Sequence, residues 1–178
     1  MAQSISWAQI VLSTVSGATA GGVVNILAGS TKAEREERGK RRIDARADVG
    51  KSLRTFRHEY RRARLQRLEN QTVEVDQVFK AALQLASATN TAMRALSAIE
   101  RLRLRRGVAS VIGAETIGLA NLQPDGAEEI DGAALHMAAE KYRRDPQVSI
   151  RQLIELDPTE PSWDLRSNRI ERLARKYP

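Results

Sequence analysis

Residues 75–99 read VDQVFKAALQLASATNTAMRALSAI. Val75, Val78, Ala82, Leu85, Thr89, Ala92, Leu96 and Ile99 step alternately by three and four, which places small and apolar side chains along one side of an α-helix. Phe79, Ala86 and Met93 widen that stripe beyond the two-position seam of a zipper, as packing within a bundle requires. Val75, Val78, Ala82, Leu85, Leu96 and Ile99 are therefore expected to form a helix–helix interface. Intermolecular coiled-coil pairing is the rival to packing within the chain.

Upstream, Ile43, Ala47, Leu53, Phe56, Tyr60 and Ala63 keep much of the same spacing, with Arg and Glu on the other faces. Gly39 and Gly50 weaken this run, but no Pro ends it. Asn70-Gln71-Thr72 is the weakest point in helicity and a natural corner. A long amphipathic helix from residue 32 that folds back at 70–72 as an αα-hairpin is the economical reading. Aromatics make up only 4% of the 178 residues, against many Ala, Leu and Arg, so the class is expected to be mainly α.

Downstream, Arg101-Leu102-Arg103-Leu104-Arg105-Arg106 reads as a helix end, with cations where the dipole favours them and Gly107 as the stop. A nucleic-acid patch is the sharper alternative, although no aromatic is interleaved for stacking. Val108 to Leu119 is apolar and fits helix or strand. Asp125 with Glu128 offers a capping pair for a helix to about Arg144, which Asp145-Pro146 breaks. Ile150, Leu153, Ile154 and Leu156 suggest a short helix ended by Asp157-Pro158, and Ser162 is expected to cap a basic terminal helix.

Residues 5–29, ISWAQIVLSTVSGATAGGVVNILAG, hold no charged side chain, in a chain that is 29% charged. As a helix these 25 residues would extend ~37 Å, enough for a hydrocarbon core of ~30 Å with some tilt. Seven polar residues among them weaken insertion of a lone helix. Ser13, Gly17, Gly21, Asn25 and Gly29 recur every four positions, however, and Gly17 to Gly21 is a literal GxxxG, so Ser13, Gly17, Gly21 and Asn25 are expected to pack against another membrane helix. A signal peptide would need a positive region before the apolar core, which is missing, and a soluble core helix would carry charges on one face.

The basic excess follows immediately. Residues 32–69 hold 14 Lys/Arg against 7 Asp/Glu, and the rest of the chain balances at 15 against 15. Lys32, Arg35, Arg38, Lys40, Arg41 and Arg42 are expected to meet anionic lipid headgroups, and their position sets the C-terminal side in the cytoplasm. Trp7 would lie at the outer headgroup level.

Chemistry finds no carrier. Without cysteine there is no disulfide, thiolate site or Cys nucleophile, and His58 and His136 lack partners at ligand spacing. Ala45-Arg46-Ala47-Asp48-Val49-Gly50-Lys51-Ser52 fits a relaxed phosphate-loop pattern. No apolar strand precedes it, its first Gly is Ala, and helical spacing runs through it, so it reads as helix surface. Pro158-Thr159-Glu160-Pro161 formally contains PxxP, and a linker is the plainer reading. No catalytic residue, metal, cofactor or small-molecule substrate is expected.

Trp7 at the start of a small-residue span, then KAEREERGKRRIDARAD, then Arg/Ala/Leu helices with ALSAIERLRL, resembles a recurrent type of small single-span protein from high-GC actinobacteria. The resemblance covers about the first 110 residues, implies a membrane span and brings no activity. The expected organisation is a transmembrane anchor at 1–31, a helical hairpin at 32–106, and short helices at 107–178 that complete or flank the bundle. The expected role is a single-pass inner-membrane scaffold, N-terminus outside, binding a protein partner or its own copies. A soluble basic protein binding nucleic acid through 32–67 and 101–106 is the first alternative, and a small oligomeric pore or lysis protein the second.

Overall fold

The computed structural model describes residues 20–123, 130–155 and 161–177, with side chains from 32–123, 130–155 and 168–177. These residues form seven helices: α1 Ala20–Leu68, α2 Val75–Ala92, α3 Ala98–Ile112, α4 Ala114–Leu122, α5 Gly132–Tyr142, α6 Pro146–Glu155 and α7 Pro161–Lys176. The chain is mainly α, with no strand among the described residues. It divides into two units between Arg41 and Arg42, inside α1.

In the second unit α1 and α2 run antiparallel. Asp48 and Thr55 of α1 share a groove with Thr91 and Gln84 of α2, and near the corner Arg62 reaches Glu74 at 3.4 Å. Val49, Leu53, Phe56, Tyr60 and Ala63 of α1 are buried together with Val78, Phe79, Ala82, Leu85 and Ala86 of α2. Phe56 and Tyr60, one turn apart, stack with centroids 6.2 Å apart. Helix α2 also packs on α3, α4 and α6, α4 on α5, and α3 on α7, so the later helices build on the hairpin.

Local chemistry sets the corners. Helix α1 ends in a Schellman motif: Gln71 N–H donates to Gln66 O at 2.8 Å and Asn70 N–H to Arg67 O at 3.0 Å, with Asn70 at φ 56°. Arg143 repeats this at the end of α5, at φ 51°. Asp145 then caps α6, its Oδ1 accepting from Gln147 N–H at 2.8 Å, with Pro146 at the first helical position, where its missing N–H is harmless. Buried Arg64 closes the other end of α6: its Nη1 donates to Ile154 O at 2.7 Å, one of the carbonyls a helix end leaves without an intrahelical donor.

Several sequence expectations are corrected. Residues 75–99 are not one helix. Helix α2 ends at Ala92, residues 93–97 form turns, and α3 starts at Ala98. The cause is a capping box: Glu100 N–H donates to Ser97 Oγ at 3.4 Å while Ser97 N–H donates to Glu100 Oε2 at 3.1 Å. Gly107 does not stop a helix, because α3 runs through it to Ile112. It is small because α7 crosses there, and a Cβ would lie 2.9 Å from Leu173 Cδ1. The stop is Gly113, at φ 90°.

Val108 to Leu119 is helical on both sides of that glycine. Helix α5 begins only at Gly132, with Asp131 Oδ1 accepting from Ala133 N–H at 2.9 Å, whereas Asp125 and Glu128 lie outside the described residues. Ser162 falls inside α7, which starts on Pro161. The amphipathic face of α1 begins at Val49, not at residue 43: Ile43 is 66% exposed, and every residue from 32 to 48 except Gly39 and Ala45 is exposed.

Candidate functional site

Helix α3 carries the largest departure from ordinary surface chemistry. At 100° per residue, Leu102, Arg106, Ile99, Ser110 and Arg103 fall within an arc of roughly 100°. Leu104, Val108, Val111 and Ile112, which are buried, occupy the opposite side. Ile99 is 63% exposed and Leu102 51%, and Arg101, Arg103, Arg105 and Arg106 are all exposed. Among the described residues none of these four arginines has a carboxylate within ion-pair distance. Arg101 ends the first turn of α3, where the helix dipole opposes a cation.

The one acid of α3 is already committed. Glu100 accepts from Ser97 Oγ at 2.7 Å and pairs with Arg46 of α1. The Ser97 hydroxyl, then the Ser97 backbone N–H, then Arg46 hold its carboxyl down at about 2, from an ordinary value of 4.5. Nearby Tyr177 is raised by burial, against the pull of the Arg46 charge. Because the Glu100 value is depressed on folding, its contribution to stability is present above about pH 4.5 and fades as pH falls towards about 2. The Glu100→Gln variant is therefore expected to show a flatter fall of Tm across that acid range than the parent, measured by circular dichroism.

Helix α7 packs on α3 at the Gly107–Leu173 contact and adds exposed Arg169, Arg172, Arg175 and Lys176. Its acid with a described side chain, Glu171, is held by Arg57 at 2.7 Å and Arg61 at 2.5 Å, both from α1. The two acids described on these helices thus face α1. Their outer cations carry a charge that no described neighbour neutralises.

The expected interface residues divide. Val78, Ala82 and Leu85 are buried, Val75 is partly buried, and Leu96 is buried in the turn between α2 and α3. Ile99 lies outside the core: the break at 93–97 places it on the surface. Thr89, within the same stripe, is fully buried and returns its hydroxyl to Leu85 O at 2.7 Å.

Of the expected lipid-contact residues, Lys32, Arg38 and Arg41 pair along the helix with Glu36 at 4.0 Å, Glu34 at 3.3 Å and Glu37 at 2.5 Å. Arg35, Lys40 and Arg42 remain without such partners among the described residues. Gly21 and Asn25 lie on the described backbone of α1, whereas Ser13 and Gly17 lie outside the described residues. Among the described residues no helix is long and apolar enough to cross a membrane, and most of the uncharged stretch, residues 5–19, lies outside them.

The remaining features carry little chemistry. The α1–α2 groove, about 490 Å³, is lined by Asp48, Lys51, Ser52, Thr55, Gln84 and Thr91 among others, with no second acid or base to work with these. Ala45 to Ser52 is helical throughout, which excludes the nested N–H geometry of a phosphate loop there. Among the described residues no three His, Asp or Glu cluster as metal ligands. Sequence reading found the arginines of 101–106 but not their direction or the aliphatic pair beside Arg103 and Arg106. The S-x-x-E pattern at Ser97–Glu100 is the signal that sets both. A scan against family models and searches of curated proteins and of solved structures find no match to this chain.

Proposed function

We propose that this chain is a membrane-anchored helical interaction module, carried by residues 5–29 as a single span with its N-terminus outside and its helical unit in the cytoplasm. One observation carries this reading: 25 residues without a charge are followed at once by a segment with six cations among residues 32–42. Helical backbone runs from Ala20 through that change to Leu68. Ser13, Gly17, Gly21 and Asn25 form the ridge on which such spans would associate. Arg35, Lys40 and Arg42, whose charges are not matched along the helix, are the cations available to anionic headgroups. The helical unit then serves as scaffold for a protein partner or a second copy, without catalysis.

Fractionation of cells expressing the full chain tests this. The chain is expected in the membrane pellet after both high-salt and carbonate washes, and protease added outside spheroplasts is expected to leave the C-terminal helices intact. Release by salt alone would move the support to a soluble polyanion-binding protein, for which the cations of α3 and α7 would be the site.

A further inference from the structure

The outer face of α3 asks for a partner that is both anionic and apolar at shallow depth. Arg103 and Arg106 supply two positive charges on this face without a described counter-charge, while Arg101 and Arg105, also exposed, project towards the flank of the buried side. Ile99 and Leu102, one turn apart, stand exposed beside Arg103 and Arg106. Exposed aliphatic residues are individually ordinary, but two adjacent on one helix face and flanked by two arginines are the composition of an interfacial helix. Helix α3 contains no aromatic side chain on which a base would stack. A phosphate backbone would use the arginines and leave Ile99 and Leu102 without a role. Headgroups with acyl chains beneath them use both.

The geometry points to the α3 face of Ile99, Leu102, Arg103 and Arg106 as a second membrane contact, one that docks on the surface of an anionic bilayer. This assignment rests on the membrane reading above for the identity of its partner, but it concerns a different part of the chain and a different kind of contact. The span would hold by burial of apolar surface and resist salt. The α3 face would hold by charge, with two aliphatic side chains at the headgroup boundary, and release in salt. Docking would fix which side of the helical unit is left free for a protein partner. The four exposed cations of α7, packed on α3, add to the same electrostatic attraction.

The absence of native cysteine allows a unique probe. The full chain carrying Leu102→Cys, labelled with an environment-sensitive dye, is reconstituted into phosphatidylcholine vesicles with and without phosphatidylserine. A blue shift and quenching by a lipid-borne quencher are expected only with phosphatidylserine, with both lost in high salt and in Arg103→Glu/Arg106→Glu. A dye at Val148→Cys, on exposed α6 surface, should not respond. An emission unaffected by phosphatidylserine overturns the assignment, as does a shift produced only by an added oligonucleotide, which would identify a nucleic-acid face. Flotation of the same chain with neutral vesicles reports the span separately, so either contact can fail while the other stands.

Discussion

Phe56→Ala is expected to destabilise the second unit by about 3–5 kcal/mol, the range for emptying a buried aromatic site. Phe56 is fully buried and stacked on Tyr60, in the row with Leu53 and Ala63 where α1 meets the rest of the core. Domains hold together by only about 5–15 kcal/mol in total, so this one change removes roughly a fifth or more of the margin. Each kcal/mol moves Tm by roughly 2–4 °C at this size, which predicts a drop on the order of ten degrees. Ile43→Ala supplies the contrast. Ile43 belongs to the same three-four row in the sequence, yet it is solvated, and its loss should cost less than about 0.5 kcal/mol. Urea unfolding of both variants measures the difference. Equal effects would mean that α1 does not pack from Val49 onward as described.

The pair also shows what the sequence discloses. The row from Val78 to Ala92 is readable because each of its positions is buried, so apolar spacing and burial coincide. At Ile43 the spacing continues after burial has ended, since periodicity records which face a residue occupies and not whether anything covers that face. Residues 93–99 fail for a different reason. The alternation of three and four counts only apolar side chains, and it passed over Ser97 and Glu100, whose paired hydrogen bonds start a new helix. Gly107 misleads in the same way: a glycine that permits a helix crossing and one that ends a helix look alike until Leu173 is known to lie above it.

For the candidate site, the arginines of 101–106 are plain in the sequence, but their setting is not. Read as the end of a helix, they would simply answer the dipole. Placed at the start and middle of α3, with their one acidic neighbour tied to Ser97 and Arg46, they do not answer the dipole, Arg101 stands against it, and all four lack compensation among the described residues. Such conflicts between local rule and observed placement concentrate where a surface serves a partner. The conflict arises from tertiary packing, because the side of α3 that is buried is chosen by α2, α4 and α7.

Removal of residues 1–31 should separate the two membrane contacts completely. Among the described side chains the core begins at Val49, and the boundary between units falls ten residues beyond the cut, at Arg41–Arg42. The truncated chain is therefore expected to keep the helical circular dichroism of α2 to α7 and a Tm within a few degrees of the parent. Retention in carbonate-washed membranes, in contrast, should fall to background, because no 18-residue apolar window remains in the helices left behind. Binding to phosphatidylserine vesicles should persist in weakened form and vanish in high salt, since Arg35, Lys40 and Arg42 and the α3 arginines are still present. If the truncated chain instead stays with membranes through carbonate, the uncharged stretch is not the anchor. If it loses its helical signal, that stretch belongs to the folded unit, and its freedom from charge reflects burial in protein rather than in lipid.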